Sequence, residues 1–332
     1  MTESPLGGLA VDPAFDSQLG SSMEDVERYL RSTVVSDYPF VTETSRHLVD
    51  AGGKRFRPLL TLLASHFGPR PANDDVIKAA VVVELTHLAT LYHDDVMDEA
   101  QLRRGAPSAN ARWDNSVAIL TGDFLFARAS DILADLGPEA VRIQAQTFER
   151  LCTGQIREAV GPDDGIDPVK HHLQVLSDKT GSLIATAGRF GAMMAGAEAS
   201  TIDTLSRFGE AIGVAFQLAD DIVDITSDAE QSGKLPGTDL REGVPTLATL
   251  IAQATDQSGD DALVAFLSGP IPDDADHARA LRLLREHPAL EDARDEARRW
   301  AGDARRILEP LPAGDAKFAL EALCDYVVNR TG

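Results

Sequence analysis

Two acidic pentads set the terms for any fold of this chain. DDVMD, Asp94 to Asp98, and DDIVD, Asp220 to Asp224, share one spacing, and each sits in an apolar run. VVVELTHLATLYH precedes the first and AIGVAF leads into the second. On an α-helix, residues i and i+4 share a face and i+1 lies about 100° round, so each pentad points three carboxylates into one region. Such clusters are costly to bury unless neutralised. Two of them on apolar helices favour a helical bundle in which they face each other across a cavity and hold Mg²⁺, a hard cation that takes carboxylate and phosphate oxygens. A di-iron site would need Glu-x-x-His pairs, and none accompanies these helices.

The rest of the sequence reads as helical. MEDVERYLRSTV repeats apolar residues at three and four, and FVTETSRHLVDAG stops at Gly52-Gly53. RPLLTLLASHFG is a helix opened by Pro58; Asn73-Asp74 cap a long helix to about Asp98; Gly137-Pro138 close another; Asp167-Pro168 pair an N-cap with Pro at the first helical position. Helical patterns continue through MMAG and from Ser200 to Thr226, and 227–243 is the clearest internal loop. Aromatics are only 5 % of residues, and strand alternation is missing. The expected class is all-α: a Gly-, Ser- and Pro-rich flexible arm over residues 1–20, then one domain over 21–332, with a split near 230 as the alternative.

The formal net charge of −22 makes nucleic acid and anionic lipid poor partners. Cys152 and Cys324 have no zinc-ligand spacing and read as buried free thiols. The N-terminus lacks the pattern of a signal peptide, and no apolar run approaches the roughly 20 residues of a membrane span. A cytoplasmic protein without an integral membrane segment is expected.

Against that acidic background, cations gather beside the carboxylate motifs. GGKRFRP puts Lys54, Arg55 and Arg57 next to two glycines, a loop able to bring N–H groups and side chains to a phosphate. Arg103-Arg104 follow the first pentad, and KTGSL and Gly233-Lys234 complete the set. The arrangement suits a Mg²⁺–diphosphate with a second diphosphate nearby. His87, two turns before Asp94 on nearly the same face, is placed to donate to a diphosphate oxygen. His66, His171 and His172 have no comparable context. Phe124, Phe126 and Phe148 are candidates for a tunnel lining or for the core.

GGKRFRP, VELTHLATLYHDDVMDEAQLRRG, GDFLFARA, KTGSL, FQLADDIVD and GKLPGTDLREG, in this order, resemble the trans-isoprenyl diphosphate synthases, nearest the bacterial polyprenyl and geranylgeranyl diphosphate synthases. The resemblance covers about Gly52 to Leu247. It implies an isoprenoid-synthase-type helical bundle around a large cavity, a homodimer, and head-to-tail prenyl transfer with on the order of two or three Mg²⁺ per active site, Mn²⁺ substituting. By matching position, Asp94, Asp95 and Asp98 hold Mg²⁺ on an allylic diphosphate (dimethylallyl, geranyl, farnesyl or geranylgeranyl). Asp220, Asp221 and Asp224 hold a further Mg²⁺. Lys54, Arg57, His87 and Arg104 match the isopentenyl diphosphate site. Arg103, Lys179, Thr180, Gln217 and Lys234 match the residues that grip the allylic diphosphate, Lys179 and Lys234 being counted with the aspartates as catalytic. Arg241 stands near a position where many relatives carry Lys.

Ala89 and Thr90, one turn before Asp94, are small. They leave the floor open, so a product of C20 or longer is expected. The alternatives are a farnesyl diphosphate synthase stopping at C15 and a noncatalytic subunit of a heteromeric synthase. A terpene cyclase would not need the second diphosphate site.

Overall fold

Two kinds of local signal, capping side chains and buried helical stripes, account for most of the elements in the computed structural model, which describes residues 6, 9–227, 236–255 and 262–329. In chain order the helices are α1 (Pro13–Thr33), α2 (Pro39–Asp50), α3 (Phe56–Ser65), α4 (Asp74–Met97), α5 (Ala109–Arg112), α6 (Asn115–Leu136), α7 (Pro138–Val160) and α8 (Pro168–Leu176). A π-turn over Ser177–Gly181 leads into α9 (Ser182–Met194) and α10 (Ala199–Thr226). Then come α11 (Thr238–Glu242), α12 (Leu247–Thr255), α13 (Asp274–Glu286), α14 (Pro288–Ile307) and α15 (Asp315–Asn329). Among the described residues the only strands are β1 (Leu102–Arg103) and β2 (Ala106–Pro107), a two-residue antiparallel pair. The all-α expectation holds.

Asn73 caps α4 through bonds from the N–H groups of Asp75 and Val76, and Asp167 caps α8 just before Pro168. Such caps contribute about 1 kcal/mol each. Pro58 does not open α3; the helix begins at Phe56, with Arg55 in the left-handed region at φ 46°. Pro58 still falls in the first turn, where its missing N–H costs nothing. The arm expected over 1–20 is helical from Pro13, because Asp12 caps the helix and Leu19, Val26 and Leu30 are buried; that burial outweighs the local Gly and Ser content. Cys324 is buried as expected, but Cys152 is exposed: it lies on α7 one residue beyond the buried Leu151, turned off the inward stripe.

The chain gathers into two compact units, and the division between them falls inside α7, α10 and α15. The first unit comprises 1–148, 183–206 and 310–320. In it α4 packs against α1, α3 and α6. Among the described residues one helix, α4, is long and apolar enough by composition to cross a membrane, but 67 % of its apolar window is buried inside the protein, as in a core helix. The Tyr92 hydroxyl donates to the Thr44 carbonyl at 2.6 Å and accepts from the Leu48 N–H at 3.2 Å, fixing α2 to α4. The second unit comprises 149–182, 207–309 and 321–332. Its core gathers Val214, Leu218, Ile222 and Ile225 of α10 with Leu247, Leu284 and Leu290. Each such burial stabilises by about 1.5–3 kcal/mol relative to exposure.

Candidate active site

In the first unit, α4 ends inside the first pentad. Asp94 and Asp95 occupy its last turn and Asp98 is its C-cap. Asp94 is half-buried, Asp95 buried and Asp98 exposed, so the three carboxylates span the passage from core to surface. Asp95 Oδ1 accepts from Arg103 Nε at 2.6 Å, while its Oδ2 is buried with no hydrogen-bond partner. Burial lifts the Asp95 carboxyl above its ordinary range, opposed by Arg103. Arg103 stands on β1, and the turn to β2 has positive φ at Arg104 (54°) and Gly105 (78°), the pair of signs a tight hairpin requires. His47 fastens this hairpin by a 2.8 Å bond to the Pro107 carbonyl.

Arg104 is held by the carbonyls of Leu48 (3.0 Å) and Gly52. Its guanidinium lies against Gly53, where a Cβ would come within 2.9 Å of Arg104 Cζ and where φ is +141°, a conformation that favours glycine. The GGKRFRP segment and the RRG hairpin are therefore one structure. Its residues do not all face the same way. Arg55 is buried and bound to Glu27, to Glu84 at 2.8 Å and to the Val49 carbonyl at 2.9 Å, a structural role. Arg57 keeps a buried Nε without a partner, and burial pushes its guanidinium down to about 10 despite the nearby Glu84. Burial also lowers Arg104, again opposed by Glu84. His87 is held well below its usual range by burial and by Arg57, Arg104, Arg103 and Arg55, so it is neutral at pH 7. Arg57, His87 and Arg104 thus form one cationic pocket with an N–H donor, and Lys54 is exposed beside it on the same loop. Glu84, which acts on Arg57 and Arg104, and Glu27, which pairs with Arg55, went unread in the sequence. The available signal was a lone carboxylate in the apolar run VVVELTH.

A cavity of about 420 Å³ lies in the same unit, lined by His93, Phe126, Ala129, Leu133, Gln144 and Phe148 among others. Phe126 and Phe148, both in that lining, pack ring against ring with centroids 4.4 Å apart and planes tilted by 57°. Phe124 lies instead under Arg128. Ala89 is fully buried and Thr90 half-buried, its hydroxyl bonded to the His87 carbonyl at 2.8 Å; neither lines this cavity.

In the second unit the second pentad ends α10. Asp221 is buried; Asp220 and Asp224 are half-buried. Burial, with Asp239, Asp220 and Asp224 adding, pushes the Asp221 carboxyl up to about 8. Gln217 bridges the site, donating to Asp221 at 3.0 Å and accepting from the Thr180 hydroxyl at 3.2 Å. Lys179 is paired with Glu158. Lys234 lies outside the described residues. Arg241 is bound to Asp274 at 2.8 Å and approaches His277, tying α11 to α13.

Three residues were missed here. Asp239, inside the GKLPGTDLREG motif, gives its N–H to Asp224 Oδ2 at 3.2 Å, and burial with Asp224, Glu242 and Glu158 pushes its carboxyl up to about 7. Glu158 faces Lys179. His172 Nε2 is buried without a hydrogen bond, 3.9 Å from Asp221 Oδ2, and burial brings its imidazole down to about 4. Nothing in the sequence around His172 distinguishes it.

These residues fit a hard divalent cation. Both units hold carboxylates lifted by burial, and Asp95 carries an unpartnered buried oxygen. Among the described residues no three His, Cys, Asp or Glu side chains converge as a complete ligand set.

Positions 38–284 match the family described as polyprenyl synthetase. Nonaprenyl diphosphate synthase of Mycobacterium tuberculosis is 50 % identical over 323 residues, 97 % of this chain and 96 % of the relative. The crystal structure of geranylgeranyl pyrophosphate synthase from Corynebacterium glutamicum, complexed with calcium and isoprenyl diphosphate, superposes with a TM-score of 0.87 at 48 % identity, covering 97 % of this chain and 98 % of that one. A decaprenyl diphosphate synthase from Rhodobacter capsulatus gives 0.87 at 33 % identity, covering 95 % and 98 %. A family match over most of its length and a relative half identical along nearly all of it mean that the chain belongs to the polyprenyl synthetase family, the trans-isoprenyl diphosphate synthases.

Proposed function

We propose that this member of the family condenses isopentenyl diphosphate with an allylic diphosphate, head to tail, to give a trans-polyprenyl diphosphate of C20 or longer, using Mg²⁺ and acting as a homodimer in the cytoplasm. The observation that carries the reading is the pocket of Arg57, His87 and Arg104. A chain of net charge −22 buries cations there around a neutral imidazole, an arrangement suited to a diphosphate.

In this reading Lys54, Arg57, His87 and Arg104 hold the isopentenyl diphosphate, which keeps its double bond at hand for attack. Arg103, Lys179, Thr180, Gln217 and Lys234 grip the allylic diphosphate. Asp94, Asp95 and Asp98, and separately Asp220, Asp221 and Asp224, hold the metal. When bound, Mg²⁺ stabilises the negative charge that develops as the allylic C–O bond breaks. Arg103 and Lys179 now neutralise Asp95 and Glu158. Bringing in cation and diphosphate together replaces both halves of each pair without leaving a buried charge alone. The cavity beside His93, with its Phe126–Phe148 wall, offers apolar surface to a growing prenyl chain. The exposed Ile119 and Leu120 of α6 support the homodimer. The relatives named above are synthases of nonaprenyl, decaprenyl and geranylgeranyl diphosphates, in keeping with C20 or longer.

The test is to incubate the purified single chain with labelled isopentenyl diphosphate and each primer, with and without Mg²⁺, and to size the products. Metal-dependent products of C20 or longer are expected. A stop at C15 would make it a farnesyl diphosphate synthase, and no incorporation would make it a noncatalytic subunit.

A further inference from the structure

We infer that Asp178 is a positioning residue: clamped by Arg150 and Arg157, it holds the π-turn Ser177–Gly181 in register and so presents Lys179 and Thr180. The inference rests on the reading that these two residues bind the allylic diphosphate.

A π-turn adds a residue to the helical turn, is rare, and persists only where its surroundings hold it. Here the Ser182 N–H reaches back five residues to the Ser177 carbonyl. The buried Asp178 side chain takes three bonds: Arg150 Nε at 2.9 Å on Oδ1, and Arg157 Nη1 at 2.6 Å and Gln174 Nε2 at 3.0 Å on Oδ2. Its carbonyl accepts from the Ser182 hydroxyl at 2.6 Å. Ser177 is fixed in parallel, its hydroxyl bonded to Glu210 at 2.6 Å and accepting from Arg150 Nη2 at 3.0 Å.

The partner surface is one stripe of α7. Arg150, Gly154, Arg157 and Glu158 fall at i, i+4, i+7 and i+8 and face the turn together. Gly154 lets the backbones meet: a Cβ there would lie 2.8 Å from Lys179 N and 3.0 Å from Asp178 Cβ. Without the clamp, the Ser182 N–H is released to open and exchange its bond between the Ser177 carbonyl and the α-helical partner one residue on. Dropping one residue of register swings the side chains beyond it by about 100°. Lys179 would leave Glu158 and Thr180 would leave Gln217.

The experiment compares Asp178→Ala, the milder isosteric Asp178→Asn and, as benchmark, Lys179→Ala. For each, the Michaelis constants for the allylic primer and for isopentenyl diphosphate are measured, together with amide hydrogen exchange of 177–182 on the full chain. Expected are a tenfold or greater rise in primer constant for Asp178→Ala, a smaller one for Asp178→Asn, isopentenyl constants within about twofold, and faster exchange at Ser182. If Asp178→Ala does not fold, Asp178→Asn carries the test. Unchanged exchange at Ser182 in the folded Asp178 variants overturns the clamp whatever the kinetics. A primer constant that rises in Lys179→Ala but stays within twofold in the Asp178 variants overturns it as well. A Lys179→Ala enzyme with a normal primer constant overturns instead the assignment of Lys179 to the allylic diphosphate, and with it the clamp's catalytic consequence.

Discussion

Replacing Glu84 by Gln should make this protein weaker as a fold and stronger as a binder of diphosphate. The Glu84 side chain is only 3 % exposed and lies 2.8 Å from Arg55 Nη1, and its charge also acts on Arg57 and Arg104. Glutamine keeps the shape and one acceptor oxygen but removes the charge. Breaking a buried ion pair from one side costs about 3–5 kcal/mol. Glu27 and the Val49 carbonyl still hold Arg55, so the low end, about 3 kcal/mol, is expected. That is a large fraction of a typical stability of about 5–15 kcal/mol.

The pocket, meanwhile, gains one net positive charge. A unit charge several ångströms from a bound anion, at an effective dielectric near 20, is worth about 2 kcal/mol, or about thirtyfold in affinity. The assay is urea unfolding followed by tryptophan fluorescence, with and without inorganic pyrophosphate. Ligand at 100 times its dissociation constant adds about 2.7 kcal/mol to the folded state. At one fixed pyrophosphate concentration, the variant should recover more stability than the wild type gains. A variant within about 1 kcal/mol of wild type, or equal stabilisation of both proteins by pyrophosphate, would refute the placing of Glu84 as the pocket's counter-ion.

Asp94→Ala and Asp220→Ala should each lower turnover by about 10²–10³ or more, and EDTA should abolish it, since each change removes stabilisation of charge in the transition state; near-normal rates would dispose of the metal assignment. Lys54→Ala and Arg57→Ala should raise the Michaelis constant for isopentenyl diphosphate more than that for the primer, checked by steady-state kinetics with each substrate varied in turn. Below about pH 6.5 His87 should subtract from folding stability as the pH drops, because the unfolded chain takes a proton on it that the folded pocket, buried among arginines, refuses; one such histidine contributes a slope of about 1.4 kcal/mol per pH unit, while Asp221 and Asp239, whose carboxyls burial raises to about 8 and about 7, contribute in the opposite direction. Between pH 6.5 and 5 the unfolding free energy from urea titrations should differ between wild type and His87→Gln by that slope, since His66 and His172, and in the opposite sense Asp221 and Asp239, contribute equally to both proteins. Ala89→Phe should shorten the main product toward C15, read by chromatography of dephosphorylated products; if only Ala129→Phe shortens it, the cavity between α6 and α7 sets the length instead.

The motifs were legible because each is a contiguous pattern tied to one element. DDVMD could be read as a helix end because its spacing matches a helical turn and its flank is apolar, and α4 does end there. The caps at Asn73 and Asp167 were legible for the same reason. What the sequence hid was long-range pairing. Arg55 and Arg57 are two residues apart and chemically identical, yet one is a structural anchor and the other keeps a buried unpartnered nitrogen. Only Glu27 and Glu84, on other helices, decide which is which. The same holds for Asp178, whose neighbour Lys179 carries the recognisable motif while Asp178 itself is explained only by Arg150 and Arg157 on α7. A phosphate-binding loop can be recognised from its own residues, but the charges that keep it folded come from wherever the chain returns. Counter-ions and supporting residues therefore have to be looked for around each motif in space, and here they supply a buried carboxylate beneath the cationic pocket and another beneath the lysine of the second unit.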